Sequence, residues 1–115
     1  VKYEHYAPVA EVFLVSGSKM AVKIKELSEA YQQQSHKVGV MTWNERAQLY
    51  PGLTVLSMGR QGDLSTLANR LYHLLRQADL LGLDVLFIES VDEAHLGLAI
   101  MNRLRKAAKS REIKT

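Results

Sequence analysis

"VLFIE", Val85 to Glu89, is the stretch that decides how this chain folds. Four apolar residues follow one another with no polar position between them, the pattern of a strand covered on both faces. "LLGLD" (Leu80–Asp84) precedes it and places Gly82 where a helix would end in a left-handed turn. A strand buried on both sides needs a layer on each side, so helices are expected on either flank of it in sequence.

Working outward, "VFLVS" (Val12–Ser16) and "LTVLS" (Leu53–Ser57) show the same unbroken apolar character, and "KVGVM" (Lys37–Met41) is a further run of strand length. Three helical stripes lie between and after these runs. Met20, Ile24, Leu27 and Tyr31 form the first; Leu64, Leu67, Ala68, Leu71, Leu74, Leu75 and Ala78 the second; Gly97, Ile100, Met101, Leu104, Ala107 and Ala108 the third. Ser18 after Gly17, Asp63 after Gly62, and Ser90 with Glu93 at capping-box spacing are the expected helix starts. "TWNERAQLYPG" (Thr42–Gly52) reads as a short helix from Asn44 to Tyr50, stopped by Pro51. The expected fold is α/β, a three-layer Rossmann-like sandwich with a mainly parallel sheet of four or five strands.

At 115 residues the chain suits one domain with one core. It contains no cysteine, which excludes disulfides and thiolate metal sites. It has neither a signal-peptide pattern nor an apolar run near the ~20 residues of a membrane span, so no membrane partner is expected. The pI of about 9.3 raises the question of nucleic acid. Six of the 15 basic residues fall in positions 103–115 against the single acid Glu112, leaving nine basic and eleven acidic residues before them. The basicity therefore belongs to one terminal element, read as a basic helix over Arg103–Lys114. Its cations suit a helix C-terminus, and tRNA docking through them is the alternative, with salt-sensitive affinity as its signature.

Ligands of parallel sheets bind at the carboxyl ends of the strands. "SGSKM" offers Ser16, Gly17 and Ser18, and "SMGRQGD" offers Gly59, Arg60 and Gly62. If the two turns flank one crevice, they could hold a small anion and make the domain a nucleotide- or amino-acid-binding regulatory module; the plainer reading is two connecting turns. Glu89, Asp92, Glu93 and His95 could bind a divalent ion, but the acids equally suit a helix's first turn, and no metal is expected. Trp43 and Tyr50 either stack on a base or plug the core. No GxSxG elbow is present.

"HLGLAIMNRLRKAA" (His95–Ala108) resembles the closing segment GLGxAxMNRLxKAA of two-domain threonylcarbamoyl-AMP synthases. "LANRLYHLLRQAD" (Leu67–Asp79) with "DVLFIE" resembles that family's helix and following strand, and "KYEHYAP" (Lys2–Pro8) its interdomain linker, commonly SPGMKYRHYAP. Glu4 stands where the family has arginine, and His95 where it has glycine. The resemblance implies residues 1–10 as a linker remnant and 11–115 as a Rossmann-like accessory domain, non-catalytic by itself, of a longer protein, which also suits a chain beginning at Val1. It further implies a larger N-terminal catalytic domain as partner, using ATP and magnesium to join L-threonine and bicarbonate into threonylcarbamoyl-AMP for tRNA modification in the cytoplasm. No cofactor is expected in this chain. Tyr3, His5 and Tyr6 would then face the catalytic domain's substrate site.

Overall fold

The computed structural model describes residues 6–115. Five strands, β1 (Glu11–Ser16), β2 (Val38–Thr42), β3 (Thr54–Ser57), β4 (Val85–Glu89) and β5 (Glu112–Lys114), form one sheet in the order β3-β2-β4-β1-β5. Every pairing is parallel. Between them lie α1 (Met20–Gln33), a 3-10 segment (Asn44–Leu49), α2 (Leu64–Leu80) and α3 (Leu96–Ala107). VLFIE is the central strand, and all five of its residues are buried.

Strand side chains alternate between faces, and the alternation sorts the core into two halves. Leu86 and Ile88 of β4, with Val12 and Leu14 of β1 and Met41 of β2, meet the leucine stripe of α2 and the apolar face of α3. Val85 and Phe87, with Val15, Val38 and Val40, meet α1 and Tyr50. This is the expected three-layer sandwich. The connection after β1 crosses the α1 face, while the one after the adjacent β4 crosses the α2–α3 face. Neighbouring connections that part in this way open a crevice at the carboxyl ends of their strands.

Two boundary signals hold. The Asp63 side chain accepts from the Thr66 N–H, and Gly82 takes φ 66° one residue past the cap of α2. Ser18 does not cap α1: the cap position is Lys19, whose N–H donates to Thr115 Oγ1. The Ser90–Glu93 box does not form either, because Ser90 Oγ donates to the Val15 carbonyl and Glu93 pairs with Arg105. α3 starts later, after His95 at φ 53°, ψ −119°. Gly97 sits there so close to the preceding turn that a Cβ would lie 1.7 Å from the Asp92 carbonyl oxygen.

The expected basic helix over Arg103–Lys114 is corrected. α3 ends at Ala107, Lys109 and Ser110 turn the chain at positive φ, and Glu112–Lys114 pairs with β1. Arg111 drives the reversal: its carbonyl accepts from Leu14 N, its Nε donates to the Val12 carbonyl, and its guanidinium lies 5.6 Å over the Phe13 ring.

Candidate functional site

Glu89 ends β4 on the α1 face of the sheet, at the register beside Thr42 of neighbouring β2. Its side chain is 1% exposed. A carboxylate so buried must find donors for both oxygens, and it does. Oε1 accepts from Thr42 Oγ1 at 2.5 Å and Arg46 Nε at 2.8 Å, while Oε2 accepts from Arg46 Nη2 at 2.9 Å and from the Tyr50 hydroxyl. The 3-10 segment carries Arg46 and leads into Tyr50, so this irregular stretch is pinned to the central strand by a two-pronged ion pair. Burial pushes the Glu89 carboxyl up, but the donors from Arg46, Thr42 and Tyr50 outweigh it and hold it below the usual range. Burial, together with the hydrogen bond to Glu89, raises the Tyr50 phenol.

Above this cluster, at the carboxyl ends of the strands, lies a cavity of about 410 Å³. β1 contributes Met20 through the start of α1, and β2 contributes Trp43 and Arg46. Gln61, Gly62 and Leu64 come from the β3 connection, and Ser90, Val91 and Asp92 from the β4 connection. Four connections thus converge on one cleft, in the position the topology dictates. Arg46 reaches it with its guanidinium already oriented by Glu89.

The two glycine turns divide differently. Gly62 lines this cleft and Gly59 supports it, its carbonyl accepting from Asn44 N–H at 2.9 Å, while Arg60 is exposed. The Ser16–Ser18 turn lies three strand spacings from β3, about 14 Å. Thr115 packs over it: Thr115 N–H and Oγ1 both donate to the Ser16 carbonyl, and a Cβ on Gly17 would meet the Thr115 carbonyl oxygen at 2.2 Å. None of Ser16, Gly17 and Ser18 is among the residues lining the cleft, although Met20 just beyond them is.

The acidic residues after β4 separate as well. Glu89 is spent on Arg46, and Glu93 on Arg105, which also holds Glu112. No group of three metal-ligating side chains is found among the described residues. Trp43 and Tyr50 are core residues, 7% and 2% exposed. Tyr6 turns onto its own domain: its ring meets Tyr72 edge-on at 5.2 Å and its hydroxyl donates to Asp79, whose other oxygen accepts from Val9 N–H at 2.8 Å. Tyr3 and His5 lie outside the described residues. Among the described residues, no helix is long and apolar enough to cross a membrane.

Arg46 and Thr42 were not among the expected site residues. The signal for them was the charge ending an otherwise apolar central strand, since a buried carboxylate there demands a cation from a neighbouring loop.

The family model described as threonylcarbamoyl-AMP synthase, C-terminal domain, matches residues 1–109. The threonylcarbamoyl-AMP synthase of Bacillus subtilis is 43% identical over 114 residues, a match covering 99% of this chain and 32% of that protein. Pyrococcus abyssi Sua5, solved in complex with L-threonine, superposes with a TM-score of 0.83 at 40% identity, over 96% of this chain and 32% of that one. The C-terminal Sua5 domain of a hypothetical Sua5 protein from Pyrococcus horikoshii, solved as a separate chain, gives a TM-score of 0.72 at 34% identity, over 95% of this chain and all of that one. The chain thus spans about a third of the length of the full relatives it matches.

Proposed function

Because the chain belongs to the family of threonylcarbamoyl-AMP synthase C-terminal domains, we propose that it is the accessory domain of such an enzyme and does not itself catalyse. The observation that carries this reading is coverage: 99% of the chain matches only 32% of the Bacillus subtilis enzyme. The chemistry of the buried cluster agrees with it. The buried carboxylate Glu89 has its hydrogen-bonding capacity consumed by four donor contacts within the domain, so it is not available as a general base.

In the whole protein, the N-terminal domain would bind ATP and magnesium and join L-threonine and bicarbonate into threonylcarbamoyl-AMP, releasing pyrophosphate. The product would serve tRNA modification in the cytoplasm. This domain would hold the linker in place against that active site. The Tyr6–Asp79 contact fixes where the linker leaves the accessory domain, and Tyr3 and His5, further along it, are the residues we assign to the catalytic domain's substrate site. A pyrophosphate-release assay tests the division of labour. The isolated chain should give no signal with ATP, L-threonine and bicarbonate, and replacing Tyr3 and His5 by alanine in the full-length enzyme should lower turnover. Activity from the isolated chain, or unchanged kinetics in the double variant, would refute it.

A further inference from the structure

The cleft at the carboxyl edge carries a second, independent reading. Arg46 and Asp92 line it from different connections, with Gln61 and Ser90 as neutral polar groups and Trp43, Leu64 and Val91 as apolar wall. Its volume of about 410 Å³ falls within the range of small-molecule sites. The charges narrow the class of ligand. Glu89 takes Nε and Nη2 of Arg46 and thereby fixes the guanidinium plane at the wall of the cleft. That same Glu89 cancels the Arg46 charge, and exposed Asp92 adds a negative one. A polyphosphate would therefore meet a wall whose ionised groups sum to about −1, which repels it. A molecule with one carboxylate and one ammonium finds a donor for the first and an acceptor for the second.

We infer that this cleft is a binding site for a small zwitterion of the α-amino-acid type, its carboxylate on Arg46 and its ammonium on Asp92. Every lining residue named is in this chain, so the site can be tested separately from the accessory role. It also lies at the sheet edge opposite the Tyr6–Asp79 anchor: α2 starts beside the cleft at Leu64 and carries Asp79 near its far end. A ligand here would occupy the domain without displacing that anchor.

Trp43, the sole tryptophan, provides the reporter. A domain of this kind has been solved as a separate chain, so the isolated chain is a fair sample. It is titrated, following Trp43 emission, with each standard α-amino acid, with phosphate and AMP as pure anions, and with an acetate–methylamine mixture that carries the two charges on separate molecules. At least one amino acid should give a saturable change, its methyl ester should bind about tenfold or more weakly, and Asp92→Asn should weaken it by a similar factor without moving the thermal midpoint. Asp92→Asn is chosen because the Asp92 side chain is exposed, whereas replacing Arg46 would leave Glu89 buried and unpaired. The proposal is overturned if no amino acid binds, if phosphate or AMP binds at least as tightly as every amino acid, or if Asp92→Asn binds as the parent does.

Discussion

The two edges of the sheet handle a carboxylate in opposite ways. At the carboxyl edge Glu89 is sealed at 1% exposure and bonded by three residues from β2 and the segment after it. At the amino edge Asp79 stands at the rim, 15% exposed, and uses its two oxygens to tie down the incoming chain at Tyr6 and Val9. The first arrangement locks an irregular segment of the domain onto its central strand. The second fastens the segment that leads into β1. Burial sets the difference, since an unpaired charge is costly in proportion to the water it has lost.

That contrast ranks the consequences of breaking each. Arg46→Met should be the most damaging, lowering unfolding free energy by about 3 kcal/mol, because it strands a buried carboxylate with only hydroxyl donors. It should also change the acid response. In the parent the folded carboxyl is held below its ordinary value, so the stability it contributes is complete above the unfolded pKa of about 4.3 and fades as pH falls through the folded value. Without Arg46 the burial effect dominates and lifts the folded value above the unfolded one, so the sign reverses: the variant's deficit should be largest at neutral pH and shrink as acid protonates Glu89. Urea unfolding across pH 3–7 reads both effects. A variant with parent-like stability and an unmoved acid limb would show that Thr42 and Tyr50 suffice.

At the amino edge, Asp79→Ala removes the acceptor of both the Tyr6 hydroxyl and the Val9 N–H. A cost of about 1.5 kcal/mol is expected. Hydrogen exchange should quicken at Val9 and Ala10 while the β4 amides keep their protection. Equal loss in β4 would mean that the strap is part of the core and the contrast between the edges is false.

Legibility in the sequence follows the same division between burial and periphery. VLFIE and the three helical stripes were readable because core burial imposes a period, and the core strands and helices stand where those periods put them. β5 was not, because "REIKT" is polar and only three of its residues pair; an edge strand is held by backbone bonds to β1, which leave no apolar pattern. The candidate site was half visible. Its place followed from the alternation of strands and helices, and Gly62 was on the expected turn. Arg46 was hidden, because an arginine in an irregular segment looks the same whether it is solvated or reaching for Glu89. Helix starts failed wherever a distant group took over the cap, as Thr115 does at Lys19.

The smallest effect sharpens what the carboxyl edge gives up to build its cleft. His95 caps α3 at φ 53° with ψ −119°, outside the compact left-handed region a side chain tolerates. Such a conformation persists only when its surroundings enforce it and costs about 1–3 kcal/mol. The enforcement is visible two residues on, where Gly97 is pressed against the Asp92 carbonyl. The loop bearing Asp92 into the cleft is therefore pulled tight, and His95 absorbs the strain. Glycine at this position would adopt the angle freely but lose about 0.5–1 kcal/mol more backbone entropy on folding. The balance favours His95→Gly by about 1 kcal/mol, read as a higher urea midpoint with an unchanged slope. If the variant is instead neutral or less stable, the imidazole contributes something that offsets the strain, and the loop is held for the sake of His95 rather than despite it.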